Sequence, residues 1–180
     1  MLDFWFGAPG SRERGRPRKL WFQKSEPFDA EVRRCFLTTW ERAARGECER
    51  WQATPLASLA LIVVLDQFPR NMFRGTARSF ASDSLALAAA RETIARGFDL
   101  LLSPVERLFI YLPFEHAEDL AAQRRSLALC HALDPEDMQY AKRHYEVIAR
   151  FGRFPHRNAI LGRQSTAEEA EFLKQPGSSF

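Results

Sequence analysis

The sequence is poor in cysteine. It contains three cysteines, Cys35, Cys48 and Cys130, and no Cys-x-x-Cys pair. An odd number without close spacing argues against a disulfide framework or a zinc site, and it fits a reducing compartment. Residues 1–6 are apolar but lack the basic n-region and the long h-region of a signal peptide, so we expect a cytoplasmic protein.

Long apolar runs and phosphate-binding loops are also missing. The most apolar stretch, residues 56–65, is too short to span a bilayer, so we expect a buried helix and no membrane partner. No Gly-rich phosphate loop and no nucleophile elbow occur, which argues against the P-loop and serine-hydrolase classes. The sequence therefore contains no motif that names a reaction.

The excess of basic charge is small. The formal net charge is +3 and the isoelectric point about 9.0, which is too weak to indicate nucleic-acid binding. Residues 14–17, Arg-Gly-Arg-Pro, resemble the core of an AT-hook, but four residues match easily by chance in an Arg-rich chain. We interpret residues 12–19 as a flexible, solvated basic loop and expect no nucleic-acid partner.

Helical periodicity dominates what is present. Residues 28–45 carry an apolar stripe at helical spacing and are followed by Gly46. Thr54-Pro55 provides an N-cap and a first-turn proline for a buried helix to about Phe68. The β-branched residues 62–64 would also suit a strand, but the sequence has no second run to pair with it.

Capping boxes, prolines and glycines predict the remaining helices. They are expected over residues 84–96, from Ser103 to about Leu112 with a stop at Pro113, from His116 to about Leu133, from Asp134 to Gly152, and from Thr166 through Phe172. The chain is thus predicted to be a single all-α domain, residues 1–180, of about seven helices. Their starts are unevenly spaced, so no fixed-period repeat is visible.

Two stretches repeat one pattern of residue types. Residues 65–71 and 152–158 both contain Phe-Pro, then basic residues, then Asn. Each lies at the end of a predicted helix, where an α-helical protein presents polar groups to solvent or ligand. We expect the two stretches to converge, with Asp66 pairing with Arg153 or Arg157 and the other guanidiniums facing a positively charged cavity.

The polar residues at these and similar helix ends form the candidate site. Guanidinium groups bind phosphate or carboxylate bidentately, and histidine titrates nearest to neutral pH. The candidate catalytic residues are His116, His156 and Glu118. The candidate ligand-binding residues are Asp66, Gln67, Arg70, Asn71, Arg74, Tyr111, Arg153, Arg157, Asn158 and Arg163. We predict that they bind a small anionic metabolite, and an enzyme of unassigned reaction is an open extension of this prediction.

Three other interpretations stay open. The same residues would serve equally as caps and ion pairs at helix ends. His116 and Glu118 with His156 would suit a metal ion, but their spacing is not diagnostic, and we assign neither a metal nor a cofactor. A helical interaction module that binds a peptide or partner protein without catalysis is the alternative function.

Four motifs resemble one bacterial family, the domain-of-unknown-function family 924. They lie at residues 3–7, 65–76, 111–120 and 151–163, in the same order and nearly from end to end of the chain. The resemblance implies a tetratricopeptide-like helical fold, and it carries no assigned activity. One departure is visible, because Ala117 stands where the family's His-Ser-Glu motif leads us to expect serine.

Overall fold

The computed structural model describes residues 1–133 and 135–179, which form helices and turns with no strand among them. This confirms the all-α prediction. The α-helices are α1 (Leu2–Phe6), α2 (Glu26–Ala44), α3 (Pro55–Ile62), α4 (Phe68–Met72), α5 (Asp83–Ala95), α6 (Pro104–His116), α7 (Leu120–Cys130), α8 (Pro135–Phe151) and α9 (Ala167–Phe172). Short 3₁₀ turns lie at Lys19–Trp21, Glu49–Ala53, Ala77–Phe80, Asp99–Leu101 and Pro155–Arg157.

The buried helix is longer than predicted. It begins at α3, where Thr54 accepts a hydrogen bond from Ala57 N, and continues through a wide π-helical turn, Val63–Gln67, into α4. The predicted end at about Phe68 is therefore wrong. Pro69 lies in the first turn of α4, directly after the π turn, and is buried. The residues of the π turn are all buried, so the helix interpretation of this β-branched run is confirmed.

The long helices pack in neighbouring pairs around this element. α2 contacts α4 and the π turn, α3 contacts α5, and α6 packs against α5 and α7. α7 packs against α8, which contributes Val147 and Ile148 to a second, smaller apolar cluster, and Phe154 after α8 completes this cluster. The tetratricopeptide-like arrangement stays a prediction. No helix among the described residues combines the length and the apolar character needed to cross a membrane.

The N-terminal aromatic residues close one side of the main core. Trp5 and Phe6 are buried, and Trp21 packs edge-on to Phe109 and donates a hydrogen bond to Trp5 O over 2.8 Å. Phe22 is 65% exposed, and its ring stacks on that of Phe109 with 6.4 Å between the ring centres.

Two arginines of the basic segment 12–19 form hydrogen bonds and an ion pair with the rest of the protein. Arg14 donates to Gly7 O and pairs with Glu106 at 2.9 Å, and Arg18 donates to Phe4 O and Trp5 O at 2.9 and 2.7 Å. The expectation of a solvated side chain therefore does not hold for these two residues. Flexibility of the segment stays a prediction.

Two predicted boundaries near the candidate site were wrong. α6 does not stop at Pro113 but runs through it to His116, because Pro113 is buried and packing of the apolar residues around it compensates the lost hydrogen bond. The following helix starts at Leu120, capped by Asp119, rather than at His116. The predicted start at Asp134 lies outside the described residues. α9, with Thr166 as its capping-box residue, is confirmed.

Candidate functional site

Asp66 is fully buried in the π turn and has three polar partners. Its Oδ1 lies 2.7 Å from His116 Nδ1 and 3.5 Å from Arg70 Nη1, and its Oδ2 accepts a hydrogen bond from Gln67 Nε2 over 2.6 Å. Burial would raise the pKa of Asp66, but Arg70, His116 and Gln67 outweigh it and lower the pKa to about 2. Asp66 is therefore an anion that orients the groups around it. Single π turns of this kind often occur at functional sites.

His116 is the last residue of α6, and its side chain is 15% exposed. Because a carboxylate only accepts hydrogen bonds, Nδ1 carries the proton and Nε2 is the acceptor of the neutral ring. Burial and the positive charge of Arg70 lower the pKa of His116 and outweigh the opposing effect of Asp66. Nε2 has no hydrogen-bond partner among the described residues. The ring of His116 is therefore a neutral tautomer whose Nε2 carries a lone pair.

Asp83, the first residue of α5, joins the two Phe-Pro stretches. Arg70 donates to both of its carboxylate oxygens, at 2.8 and 3.0 Å, and also to Asp66 O at 2.6 Å. Arg157 Nη1 reaches the same carboxylate from the other stretch at 3.4 Å. The two stretches thus meet, but the predicted pairing of Asp66 with Arg153 or Arg157 was wrong. His116, Gln67 and Arg70 already occupy the Asp66 carboxylate, which leaves Asp83 as the partner.

Arg157 is buried and poorly paired. Its side chain is 8% exposed, and its guanidinium carbon lies 4.5 Å from the centre of the Phe80 ring and 4.4 Å from that of Phe154. Apart from the long contact to Asp83, no hydrogen bond of the Arg157 side chain is found among the described residues, and its Nε is buried without a partner there. Burial and Arg70 lower the pKa of Arg157 to about 10, so it stays charged at neutral pH.

We call Asp66, Arg70, Asp83, His116 and Arg157 the central cluster. Two carboxylates face two guanidiniums within it, so the expected excess of positive charge is not found. What distinguishes the cluster is the set of unused donors on Arg157 and the unused acceptor on His116. Asp83 was not predicted as a site residue, because a carboxylate at the start of a helix is interpreted first as a helix-terminus charge.

Two further histidines line the cluster. His144, which sequence reasoning missed, lies with its ring centre 6.3 Å from that of His116 and 5.7 Å from that of Phe154. Its Nδ1 donates to Tyr140 O over 2.8 Å, and burial lowers its pKa to about 3. The ring of His156 lies 5.6 Å from Phe154, and burial followed by Arg157 lowers its pKa to about 4. The helical spacing of His144 from Ala141 and Ile148 could have revealed its inward position.

A second group of predicted residues forms structural pairs instead. Glu118 accepts from Arg163 at 2.6 and 2.9 Å and from Phe154 N at 2.8 Å. Arg153 donates to both carboxylate oxygens of Glu169 at 2.6 and 2.7 Å. Asn158 donates to Glu169 at 3.3 Å and accepts from Arg163 at 3.0 Å. The set Glu118, Arg153, Asn158, Arg163 and Glu169, which we call the C-terminal clasp, thus joins the start of α9 to the α6–α7 junction.

The remaining predicted residues face other parts of the molecule. Asn71 and Arg74 both donate to Asp29 of α2, at 2.7 Å and at 2.8 and 3.0 Å. The hydroxyl of Tyr111 donates to Asp99 over 2.8 Å inside the main core. These contacts give the three residues structural partners, and we do not include them in the central cluster.

Two surface cavities lie away from the central cluster. The larger, about 550 Å³, is lined in part by Arg14, Leu56, Leu101 and Glu106, and the smaller, about 330 Å³, by residues of α2 and the turn after it. Neither includes a residue of the central cluster. Among residues 1–133 and 135–179, no group of His, Cys, Asp and Glu side chains has an arrangement that could hold a metal ion.

The comparisons with known proteins agree with this fold. The family model described as "Bacterial protein of unknown function (DUF924)" matches residues 1–177. The chain belongs to the DUF924 family. It is also similar to a solved structure, the protein of unknown function ATU0120 from Agrobacterium tumefaciens, with 44% sequence identity over 96% of this chain and 94% of that chain and a TM-score of 0.87. No curated protein matches the chain.

In this DUF924 chain, Ala117 stands where serine was expected, and the structure shows its surroundings. Ala117 follows α6 directly after His116, and its carbonyl accepts a hydrogen bond from Gln123 Nε2 over 2.9 Å. The methyl group of Ala117 packs against the main apolar core and has no hydrogen-bonding group. Any chemistry at His116 therefore proceeds without a hydroxyl from the adjoining residue.

Proposed function

We propose that this DUF924 protein binds a small anionic ligand, a phosphate- or carboxylate-bearing metabolite, at the guanidinium of Arg157. The observation that carries the proposal is the state of that side chain, which is 8% exposed, has one 3.4 Å contact to Asp83, and has a buried Nε without a partner among the described residues. A guanidinium has five N–H donors, and leaving such donors unpaired in a protein interior is costly. An oxyanion would satisfy them.

The surroundings of Arg157 favour binding because they fix its position. Phe80 and Phe154 hold the guanidinium between their rings, and Asp83 contacts one of its nitrogens. Little side-chain entropy is then lost when a ligand binds, and charge-assisted bonds to a guanidinium are strong. We expect dissociation constants of roughly micromolar to millimolar, the range for a few such bonds after desolvation.

His116 is the residue that would act as the catalytic base if the bound anion is a substrate. Its Nδ1 is held by Asp66, and its Nε2 is an acceptor at neutral pH. A histidine held in this way acts as a general base toward a proton of a bound substrate. In this proposal His116, rather than His156 or Glu118, is the catalytic candidate, since both oxygens of Glu118 are occupied by Arg163.

Anion-dependent thermal stability tests the proposal. The wild type, Arg157→Met and the control Arg74→Met are melted with and without millimolar inorganic phosphate, acetate and citrate. Arg74 pairs bidentately with Asp29 outside the cluster, so Arg74→Met should keep the response. We expect the melting temperature of the wild type to rise with at least one anion, because a ligand stabilises the state that it binds, and Arg157→Met to show no rise. Equal rises in wild type and Arg157→Met, or none in the wild type, would contradict the proposal.

One observation favours the alternative of an interaction module. Leu100 and Leu101 are 68% and 72% exposed, and Leu101 lines the 550 Å³ cavity. Exposed leucines beside a cavity are typical of surfaces that bind an apolar peptide segment. Under this alternative, Leu101→Ser would abolish binding to a peptide array that the wild type binds and would leave the anion response unchanged.

A further inference from the structure

We propose that the anion bound at Arg157 carries a hydroxyl of its own, which it donates to His116 Nε2. This inference rests on the proposed function and names its ligand class, an oxyanion with an O–H beside its charged oxygens. Inorganic phosphate, whose acid proton persists at neutral pH, and a 2-hydroxycarboxylate share this chemistry. Sulfate and simple carboxylates lack it.

The contacts within the central cluster join His116 to Arg157. His116 Nδ1 contacts Asp66 at 2.7 Å, Asp66 lies 3.5 Å from Arg70, and Arg70 and Arg157 share the carboxylate of Asp83. His144 links the two from a second side, since its ring neighbours those of His116 and Phe154, and the guanidinium of Arg157 lies over the Phe154 ring. The inferred ligand spans this connected cluster from Arg157 to His116.

The hydrogen-bond pattern of His116 sets the selectivity. The buried carboxylate of Asp66 occupies Nδ1, so the neutral ring turns a lone pair, not a proton, toward a ligand. An oxyanion without a proton places its own lone pairs against Nε2, which leaves both groups unsatisfied. An oxyanion with a hydroxyl donates to Nε2 and accepts from Arg157 at the same time. This pattern discriminates between anions of equal charge and shape.

The charges that face His116 keep this pattern at neutral pH. The charged groups are Asp66 from the π turn, Arg70 from α4 and Asp83 from α5. The ring of His144 from α8 packs against His116, and Arg157 acts on His144 in turn. The two guanidiniums balance the two carboxylates, and burial then favours the uncharged ring. His144 and His156 are also uncharged near neutral pH, because burial lowers the pKa of both.

Calorimetric titration with matched anions at neutral pH tests the inference. Sodium phosphate is compared with sodium sulfate, and glycolate with acetate, on the wild type, Arg157→Met, His116→Gln and the control His131→Gln, a change of an exposed histidine. We expect the wild type and His131→Gln to prefer the hydroxyl-bearing member of at least one pair by roughly ten- to a hundredfold. His116→Gln should lose this preference, since an amide offers both a donor and an acceptor. If the wild type prefers phosphate to sulfate but not glycolate to acetate, the hydroxyl that His116 recognises is an acid P–O–H group. If it prefers only glycolate to acetate, the recognised hydroxyl is an alcohol.

The outcomes separate the inference from the proposed function. Equal affinity of the wild type for both members of each pair, with all binding lost in Arg157→Met, would overturn the inference and leave the anion site standing. A preference that persists in a folded His116→Gln would also overturn it, because another group would then read the hydroxyl. Absence of any anion binding by the wild type would overturn both. The wild-type comparison alone decides the inference if His116→Gln does not fold.

Discussion

The C-terminal clasp and the central cluster are built from the same residue types and differ in how their arginines are paired. In the clasp, Arg153 and Arg163 each meet a carboxylate through two hydrogen bonds of 2.6 to 2.9 Å. In the central cluster, Arg70 is paired in the same way, but Arg157 has a single contact of 3.4 Å and two aromatic neighbours. An arginine that makes two short hydrogen bonds to a carboxylate, which we call a saturated pair, stabilises a fold. A buried arginine with unpaired N–H donors is suited to bind a ligand.

Acid should separate the two regions most strongly. Burial lowers the pKa of His144 from 6.5 to about 3 and that of His156 to about 4, so the unfolded chain binds more protons below pH 6.5. Stability should therefore fall as the pH drops from 6.5 toward 3, by at most about 4 kcal/mol for His144. The clasp should persist longer, because the pKa of Glu169 is lowered to about 2 by Arg153, and its contribution is lost only as the pH falls toward that value.

Urea unfolding as a function of pH measures this difference. His144→Gln should flatten the decrease of the unfolding free energy below pH 6.5, and the exposed His131→Gln should leave it unchanged. A wild-type stability that stays constant from pH 6.5 to 4 would show that the histidines of the cluster are not held neutral.

Breaking a saturated pair in the clasp should have the next largest effect. Arg163→Met removes both hydrogen bonds to Glu118 and leaves a partly buried carboxylate without its cation. We expect a loss of about 2 kcal/mol in the free energy of unfolding by urea denaturation. The anion response should be retained. As a control, Lys174→Met breaks an exposed pair with Glu171 and should change stability little. An unchanged free energy of unfolding in Arg163→Met would mean that the clasp does not stabilise the fold.

The same substitution in the central cluster should have the smallest effect on stability. Arg157→Met keeps the side-chain volume and the contacts to Phe80 and Phe154, while Asp83 keeps its bidentate partner Arg70. Since removing a poorly paired buried charge offsets the lost contact, we expect the unfolding free energy to change by less than about 1 kcal/mol. A loss as large as that of Arg163→Met, again by urea denaturation, would place Arg157 among the structural arginines.

Much of the fold was predictable because helix signals are local. Thr54-Pro55, Ser103-Pro104 and Thr166 mark the start of helices in the sequence and in the structure. Pro113 led to a wrong prediction of where α6 ends. The free-energy cost of a proline inside a helix depends on the packing around it, and the local sequence does not give this packing. The π turn was missed for a related reason, since it is set by how the buried helix packs rather than by a residue type.

The site was only partly predictable because pairing between distant residues decides which polar groups are free. The repeated Phe-Pro pattern correctly indicated that residues 65–71 and 152–158 meet. It could not indicate that Asp83 joins them, nor that Glu169 occupies Arg153 while Arg157 keeps unused donors. Arginines that look alike in sequence thus differ in how they are paired, because their partners lie far along the chain.

Side-chain NMR of the arginines tests the central claim most directly. In a titration of ¹⁵N-labelled protein with inorganic phosphate, the Nε–H signals are followed, and those of Arg157 and Arg163 are identified by their disappearance in Arg157→Met and Arg163→Met. We predict that the Arg157 signal shifts with saturation, because its Nε has no partner among the described residues, while that of Arg163, which donates to Asn158 at 3.0 Å, stays in place. An unmoved Arg157 signal, or equal shifts of both signals, would contradict the account.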